Sequence, residues 1–134
     1  MEKDILKGVL MKHVAWLNGD PSGKRAVLCG ANLNGVDLSR VNLSRADLRG
    51  AKLHNAVLCG VNLSYTNLSG ADLSRADLSD ANLHHASMYN AGLRGANLSD
   101  ANLHHATLRD ADLRWTKLNG ANLNGADLYG TNRI

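Results

Sequence analysis

Leucine returns at every fifth residue along most of this chain, and few folds can use that spacing. The run begins at Leu28 and continues through Leu33, Leu38, Leu43, Leu48, Leu53, Leu58, Leu63, Leu68, Leu73, Leu78, Leu83, Met88, Leu93, Leu98, Leu103, Leu108, Leu113, Leu118, Leu123 and Leu128. With Arg133 there are 22 such centre positions, and 20 of them are Leu. In an α-helix, at about 100° per residue, successive leucines would step by about 140° and smear around the axis. A flat strand has a period of two and would put alternate leucines on opposite faces. A chain that bends the same way after each leucine keeps all of them inside.

The rest of the pentad fits that bend. Two residues before each centre stands a small residue: 16 Ala, three Val (Val36, Val41, Val61) and three Thr (Thr66, Thr116, Thr131). Directly before the centre, 15 of 22 residues are Asp or Asn, and the two after it are mostly polar or Gly. Residues two apart on an extended chain point the same way, so the small residue and the leucine face inward and the Asp or Asn faces out. The last two residues turn the corner, where Gly, Asn, Asp and Ser are at home. Alanine suits a narrow bore, which a β-branched residue is expected to crowd.

A chemical echo sets the number of sides. The string from Leu78 to Ala86 recurs twenty residues later as Leu98 to Ala106, and Asn occupies positions 42, 62, 82, 102 and 122. Twenty residues are four pentads, which makes a square coil. The Asn series then predicts a ladder of stacked side-chain amides. Asp80 over Asp100 and Arg94 over Arg114 predict mildly unfavourable like-charge contacts.

The pentads resemble the pentapeptide repeat family, whose pattern is A-(D/N)-L-x-x, from Ala26 to about Asn132. The resemblance implies an all-β solenoid, a right-handed four-sided (quadrilateral) β-helix. That hand agrees with the rule for parallel crossovers. Residues 26–134 would make about 5.5 coils, a rod about 26 Å long at the usual strand spacing. The chain divides into residues 1–25, an N-terminal α-helical cap and turn, and residues 26–134, the repeat β-helix.

Residues 1–25 do not repeat. Asp4 is the expected N-cap, and Ile5, Leu6, Val9, Leu10, Val14 and Leu17 recur at helical spacing. Asn18-Gly19 reads as the stop and Asp20-Pro21-Ser22-Gly23 as a turn. A helix there covers the open first coil, whose leucines and strand edges would otherwise face water. Lys3, Lys7 and Lys12 offer a second reading, a basic helix for a membrane surface or a partner, but it lacks the length and basic face of such helices. The other end carries Leu118, Leu123 and Leu128 with no comparable cover, so a homodimer through the C-terminal coils is expected. The alternative is that Ile134 and the side chains of the last coil suffice.

Composition narrows the function. Hydrophobic residues are 44% of the 134, too many for a disordered chain. No apolar run approaches the roughly 20 residues of a membrane helix. No A-x-A cleavage site follows the first apolar stretch, and a cytoplasmic location is expected. Cys29 and Cys59, one and a half coils apart, cannot meet in a disulfide and have no His partner at catalytic spacing. Phosphate-binding and nucleophile-elbow motifs are absent, and a bore filled with leucine leaves no substrate pocket, so the chain reads as no enzyme and needs no cofactor. His84, His85, His104 and His105 form two stacked rows and are weak candidates for Zn²⁺ or Ni²⁺; a solvated polar face is the plainer reading.

The leading expectation is a non-catalytic scaffold, a protein–protein interaction module whose partner the sequence does not name. Its first contact candidates are the exposed aromatics Tyr65, Tyr89, Trp115 and Tyr129. Tyr89 and Tyr129 share one face and Trp115 the adjoining one. The family implies an alternative, since some members protect DNA gyrase from quinolones by imitating DNA. That role needs a strongly negative rod, and this chain has net charge +3 and no Phe among its centres. A third reading, weak nucleic-acid binding, is permitted by the basic balance, but Arg40, Arg45, Arg49, Arg75, Arg94 and Arg109 scatter without one stripe.

Overall fold

Residues 1–133 are described by a computed structural model of the chain. Ile134, invoked above as part of a C-terminal seal, lies outside the described residues. From Val27 onward the backbone coils with a constant register. Each residue before a centre pairs in parallel with the residue twenty further on, from Val27 with Asp47 to Asp112 with Asn132. Pairing at twenty residues closes one coil with four pentads. Each side contributes a single paired residue, so the sides are too short to count as ordinary strands.

The interior follows the pentad. The leucines from Leu28 to Leu113, with Met88, are buried, as are the alanines from Ala46 to Ala111, while Ala31 is partly buried. Leu118, Leu123 and Leu128, which donate no N–H to a following coil, are only half-buried against this column. The expected crowding by β-branched residues does not occur. Val61 and Thr66 are fully inside, and the Thr66 hydroxyl donates to the Leu63 carbonyl.

Corners are built by hydrogen bonds of two kinds. The N–H of each small residue returns to the carbonyl of the leucine three before it, as in Ala86 to Leu83 at 3.0 Å. The side-chain oxygen of the Asp or Asn accepts the N–H two residues on at fourteen corners. This corrects the expected amide ladder. Asn42, Asn62, Asn82, Asn102 and Asn122 do stack, but each Oδ1 turns onto its own corner, to the N–H of Ser44, Ser64, His84, His104 and Asn124 at 3.0–3.1 Å.

The second corner residue sits in the left-handed region. Glycine fills some of these places, but Arg40, Arg45, Tyr65, Arg75, His85, His105 and Trp115 hold φ between 56° and 65°. An L-residue there costs about 1–2 kcal/mol. The conformation aims its N–H at the next coil, as in Tyr65 to the His84 carbonyl at 2.9 Å.

One helix, α1 (Lys3–Leu17), covers the start of the coil. Its N-cap is Glu2, without a side-chain bond, and not Asp4, which lies in the first turn where its charge suits the helix dipole. Asn18 and Gly19 close it, and Asp20 accepts Ser22 in the following turn. Only part of the expected apolar set faces the coil. Leu6 is buried and Val9 and Leu10 are partly so, whereas Ile5 and Val14 stand 56% and 43% exposed. The helix is rotated by His13, which is fully buried. Its Nδ1 accepts the Ala26 N–H at 2.9 Å, so Nε2 carries the proton and donates to the Ser44 carbonyl at 2.9 Å. The Met1 amine likewise donates to the Asn32 carbonyl. Two carbonyls on the first coil that would meet a preceding coil, those of Asn32 and Ser44, are thereby paired from residues before the repeats.

Candidate functional site

A column filled by leucine and alanine leaves chemistry to the four corners. Corner residues twenty apart lie over one another, so each corner is a ridge with its own sequence of side chains.

The first ridge carries Arg45, Tyr65, His85 and His105. The Arg45 guanidinium lies over the Tyr65 ring at 5.7 Å, Tyr65 stacks on His85 at 5.0 Å, and His85 on His105 at 5.0 Å. Beside them His84 stacks on His104 at 5.3 Å with the planes 4° apart. Stacked rings hold their in-plane lone pairs parallel, whereas a tetrahedral metal needs them to converge on one point. Among the described residues no group of three or more His, Cys, Asp or Glu side chains is arranged to hold a metal ion. The His85 pKa is lowered by its loss of solvent and by the neighbouring imidazoles of His84, His105 and His104.

Tyr89 and Tyr129 lie on the second ridge with Arg109 between them. Arg109 covers the Tyr129 ring at 4.9 Å and pairs with Asp127 at 2.9 Å. Lower on the same ridge Arg49 pairs with Asp47 at 2.7 Å. That hydrogen-bonded guanidinium holds the Asp47 carboxyl well below the usual carboxylate range.

Trp115 lies on the third ridge with His54, Ser74, Arg75 and Arg94. Of the six arginines named from the sequence, Arg75 and Arg94 line one recess with Trp115, while Arg40, Arg45, Arg49 and Arg109 lie on the other ridges. Arg114, stacked over Arg94, is turned to Asp112 at 2.7 Å, which relieves the expected like-charge contact. The residue numbers held the signal: 54, 74, 94 and 114 differ by twenty, as do 75, 95 and 115. On the fourth ridge the carboxylate of Asp100 lies over Gly120, above the Asp80 corner.

All four predicted aromatics are exposed, Tyr65 at 51%, Tyr89 at 50%, Trp115 at 75% and Tyr129 at 71%. The structure brings Tyr89 and Tyr129 onto one ridge, Trp115 onto the next, and Tyr65 onto the imidazole stack. His13, which no motif or spacing in the sequence singles out, bridges α1 to the first coil through both ring nitrogens. Both cysteines are free. The Ser79 hydroxyl at the Cys59 sulphur favours the thiolate, but the Asp77 carboxylate that accepts its S–H at 3.0 Å, together with burial, pushes the thiol's pKa up. No helix among the described residues is long and apolar enough to cross a membrane.

Comparison with known proteins agrees with this architecture. The model of pentapeptide repeats matches residues 24–60, 58–95 and 96–132. Among curated proteins none matches the chain. Among solved structures, the chain is similar to Rfr23, a pentapeptide repeat protein from the cyanobacterium Cyanothece 51142, with 31% identity over 81% of this chain and 88% of that one and a TM-score of 0.49. It is similar to HetL from Nostoc sp. strain PCC 7120, a pentapeptide repeat protein involved in heterocyst differentiation regulation, with 32% identity over 81% of this chain and 62% of that one and a TM-score of 0.40. It is also similar to QnrB1, a plasmid-mediated fluoroquinolone resistance protein, with 18% identity over 81% of this chain and 73% of that one and a TM-score of 0.31. No catalytic family is indicated. With the repeat matched from residue 24 to residue 132 and the leucines of every pentad turned into one column, the chain belongs to the pentapeptide repeat family.

Proposed function

We propose that this chain is a non-catalytic scaffold that binds another protein along the ridge of Tyr89, Arg109 and Tyr129. One observation carries the reading: Tyr129 is held under Arg109, which is itself tied to Asp127. Exposed tyrosine and arginine are the residue types that dominate interface energetics. Held in place beforehand, they lose little side-chain freedom on binding. The test compares proteins cross-linked in the source cells to the wild type and to a Tyr89→Ala, Tyr129→Ala variant with an unchanged melting curve. A partner kept by the first and lost from the second supports the reading; identical capture by both overturns it.

Three finer points belong to the same proposal. The coil winds right-handed through about 5.5 turns of residues 26–134, behind a cap of residues 1–25. Two copies join tail to tail through the last coil, whose Leu118, Leu123 and Leu128 are half-exposed. Sedimentation at micromolar concentration then gives twice 14.3 kDa, and a mass of 14.3 kDa removes the dimer. A DNA-mimic role is disfavoured, because Asp37, Asp47, Asp72, Asp77, Asp112 and Asp127 turn a carboxylate oxygen onto their own corners. Addition of the protein to a gyrase supercoiling assay is expected to change nothing.

A further inference from the structure

On the third ridge His54, Ser74, Arg75, Arg94 and Trp115 line a recess of about 400 Å³ together with Gly95. The ridge is missing a rung there. Gly95 stands between Arg75 and Trp115 in the twenty-residue column and supplies no side chain. The Arg75 stem lies against it, with Cγ 3.3 Å from where a Cβ would be.

Charge in the recess is only partly compensated, since Arg94 shares the field of Asp112 without pairing with it. Arg49, Arg109 and Arg114 each have a carboxylate partner, whereas among the described residues no ion pair engages Arg75 or Arg94. Both are exposed. The adjoining carboxylates are already engaged. Asp112 holds Arg114, and Asp72 accepts the Ser74 N–H and hydroxyl. Because the Ser74 O–H points to Asp72, its oxygen accepts from His54 Nδ1 at 2.8 Å. That leaves Nε2 of a neutral His54 as an acceptor.

We propose that this recess binds a nucleoside phosphate, with the phosphate between Arg75 and Arg94, the base against the Trp115 ring, and His54 Nε2 accepting a hydroxyl or amino proton. Guanidinium forks match phosphate oxygens in geometry as well as charge. An indole face stacks on any base. The volume lies at the lower end of the range of roughly 300–1,000 Å³ for small-ligand sites. The ligand is either a free nucleotide or the terminal nucleotide of a strand, which share this chemistry. The proposal goes beyond the protein-binding scaffold and uses a different ridge.

Trp16→Phe leaves Trp115 as the sole indole, and its emission is titrated with adenosine monophosphate, adenosine, inorganic phosphate and a short oligothymidylate. Saturable quenching by the monophosphate at a Kd of about 1 mM or tighter is expected. Arg75→Gln with Arg94→Gln should weaken it about tenfold or more, and Tyr129→Ala should leave it unchanged. Tighter binding of the oligothymidylate than of the monophosphate would identify the strand end as the source. Equilibrium dialysis of the monophosphate against the unsubstituted protein and against Trp115→Ala gives the same answer without Trp16→Phe. Adenosine binding as well as its monophosphate, inorganic phosphate binding as well as the nucleotide, or no saturable binding of nucleotide or strand each overturns the proposal.

Discussion

Asn82 Oδ1 accepts the His84 N–H at 3.1 Å, and the same bond recurs wherever Asp or Asn precedes a described leucine. The preference for Asp or Asn therefore comes from the turn, since a short side chain ending in an acceptor reaches an N–H two residues on. Asn82→Ala is expected to cost about 0.5–1.5 kcal/mol by denaturant titration, and Asn82→Asp less, because it keeps the oxygen. Inside the column the scale is larger. Leu83, fully buried, should cost about 2–5 kcal/mol on truncation to Ala. Leu123→Ala should cost distinctly less, since Leu123 is half-buried in the last coil. The outward place of Asn and the inward place of Leu were both readable from the pentad. The bond that Asn makes was not, because a stacked Asn could equally have turned its amide to the coils above and below.

At the scale of an element, α1 is joined to the solenoid by one imidazole. His13 is neutral, since Nδ1 must keep its lone pair for the Ala26 N–H, and burial, its largest cause, holds its pKa below the ordinary 6.5. A folded-state pKa below the unfolded one adds stability that is fully present above about pH 6.5 and is lost as pH falls through the folded value. The melting temperature is therefore expected to fall on acidification from pH 7 towards pH 5, and His13→Gln should flatten that dependence. An equal pH slope in both proteins would overturn this assignment and point to His85, whose pKa is also lowered. Helical spacing foretold a helix over these residues. It did not foretell its rotation, because Ile5 and Val14 fit an apolar stripe as well as Leu6 does, and only the bonds of His13 choose between them.

For the whole molecule the two ends are unequal. Each coil touches only its neighbours, so local opening starts at whichever end is less well covered. At the N-terminal rim α1 packs Leu6 against the column and Met1 and His13 pair two carbonyls, while the last coil leaves its leucines half-exposed. Amide exchange is expected to be slowest at the N–H groups of Leu63 to Leu93, which donate to a following coil, and fastest at Leu118, Leu123 and Leu128. Uniform protection along the rod would show that the last coil is covered by a second copy.

Sequence alone determined which residues face the column, that the chain closes every twenty residues, and that a helix precedes the repeats. These follow from a period that neither helix nor flat strand can satisfy. Tertiary structure alone decided which corner side chains meet: Arg109 over Tyr129, imidazole on imidazole, and Arg75 and Arg94 beside Trp115. Those residues lie far apart along the chain, and their approach depends on the pitch of the coil and on the rotamer each long side chain takes once its neighbours are in place.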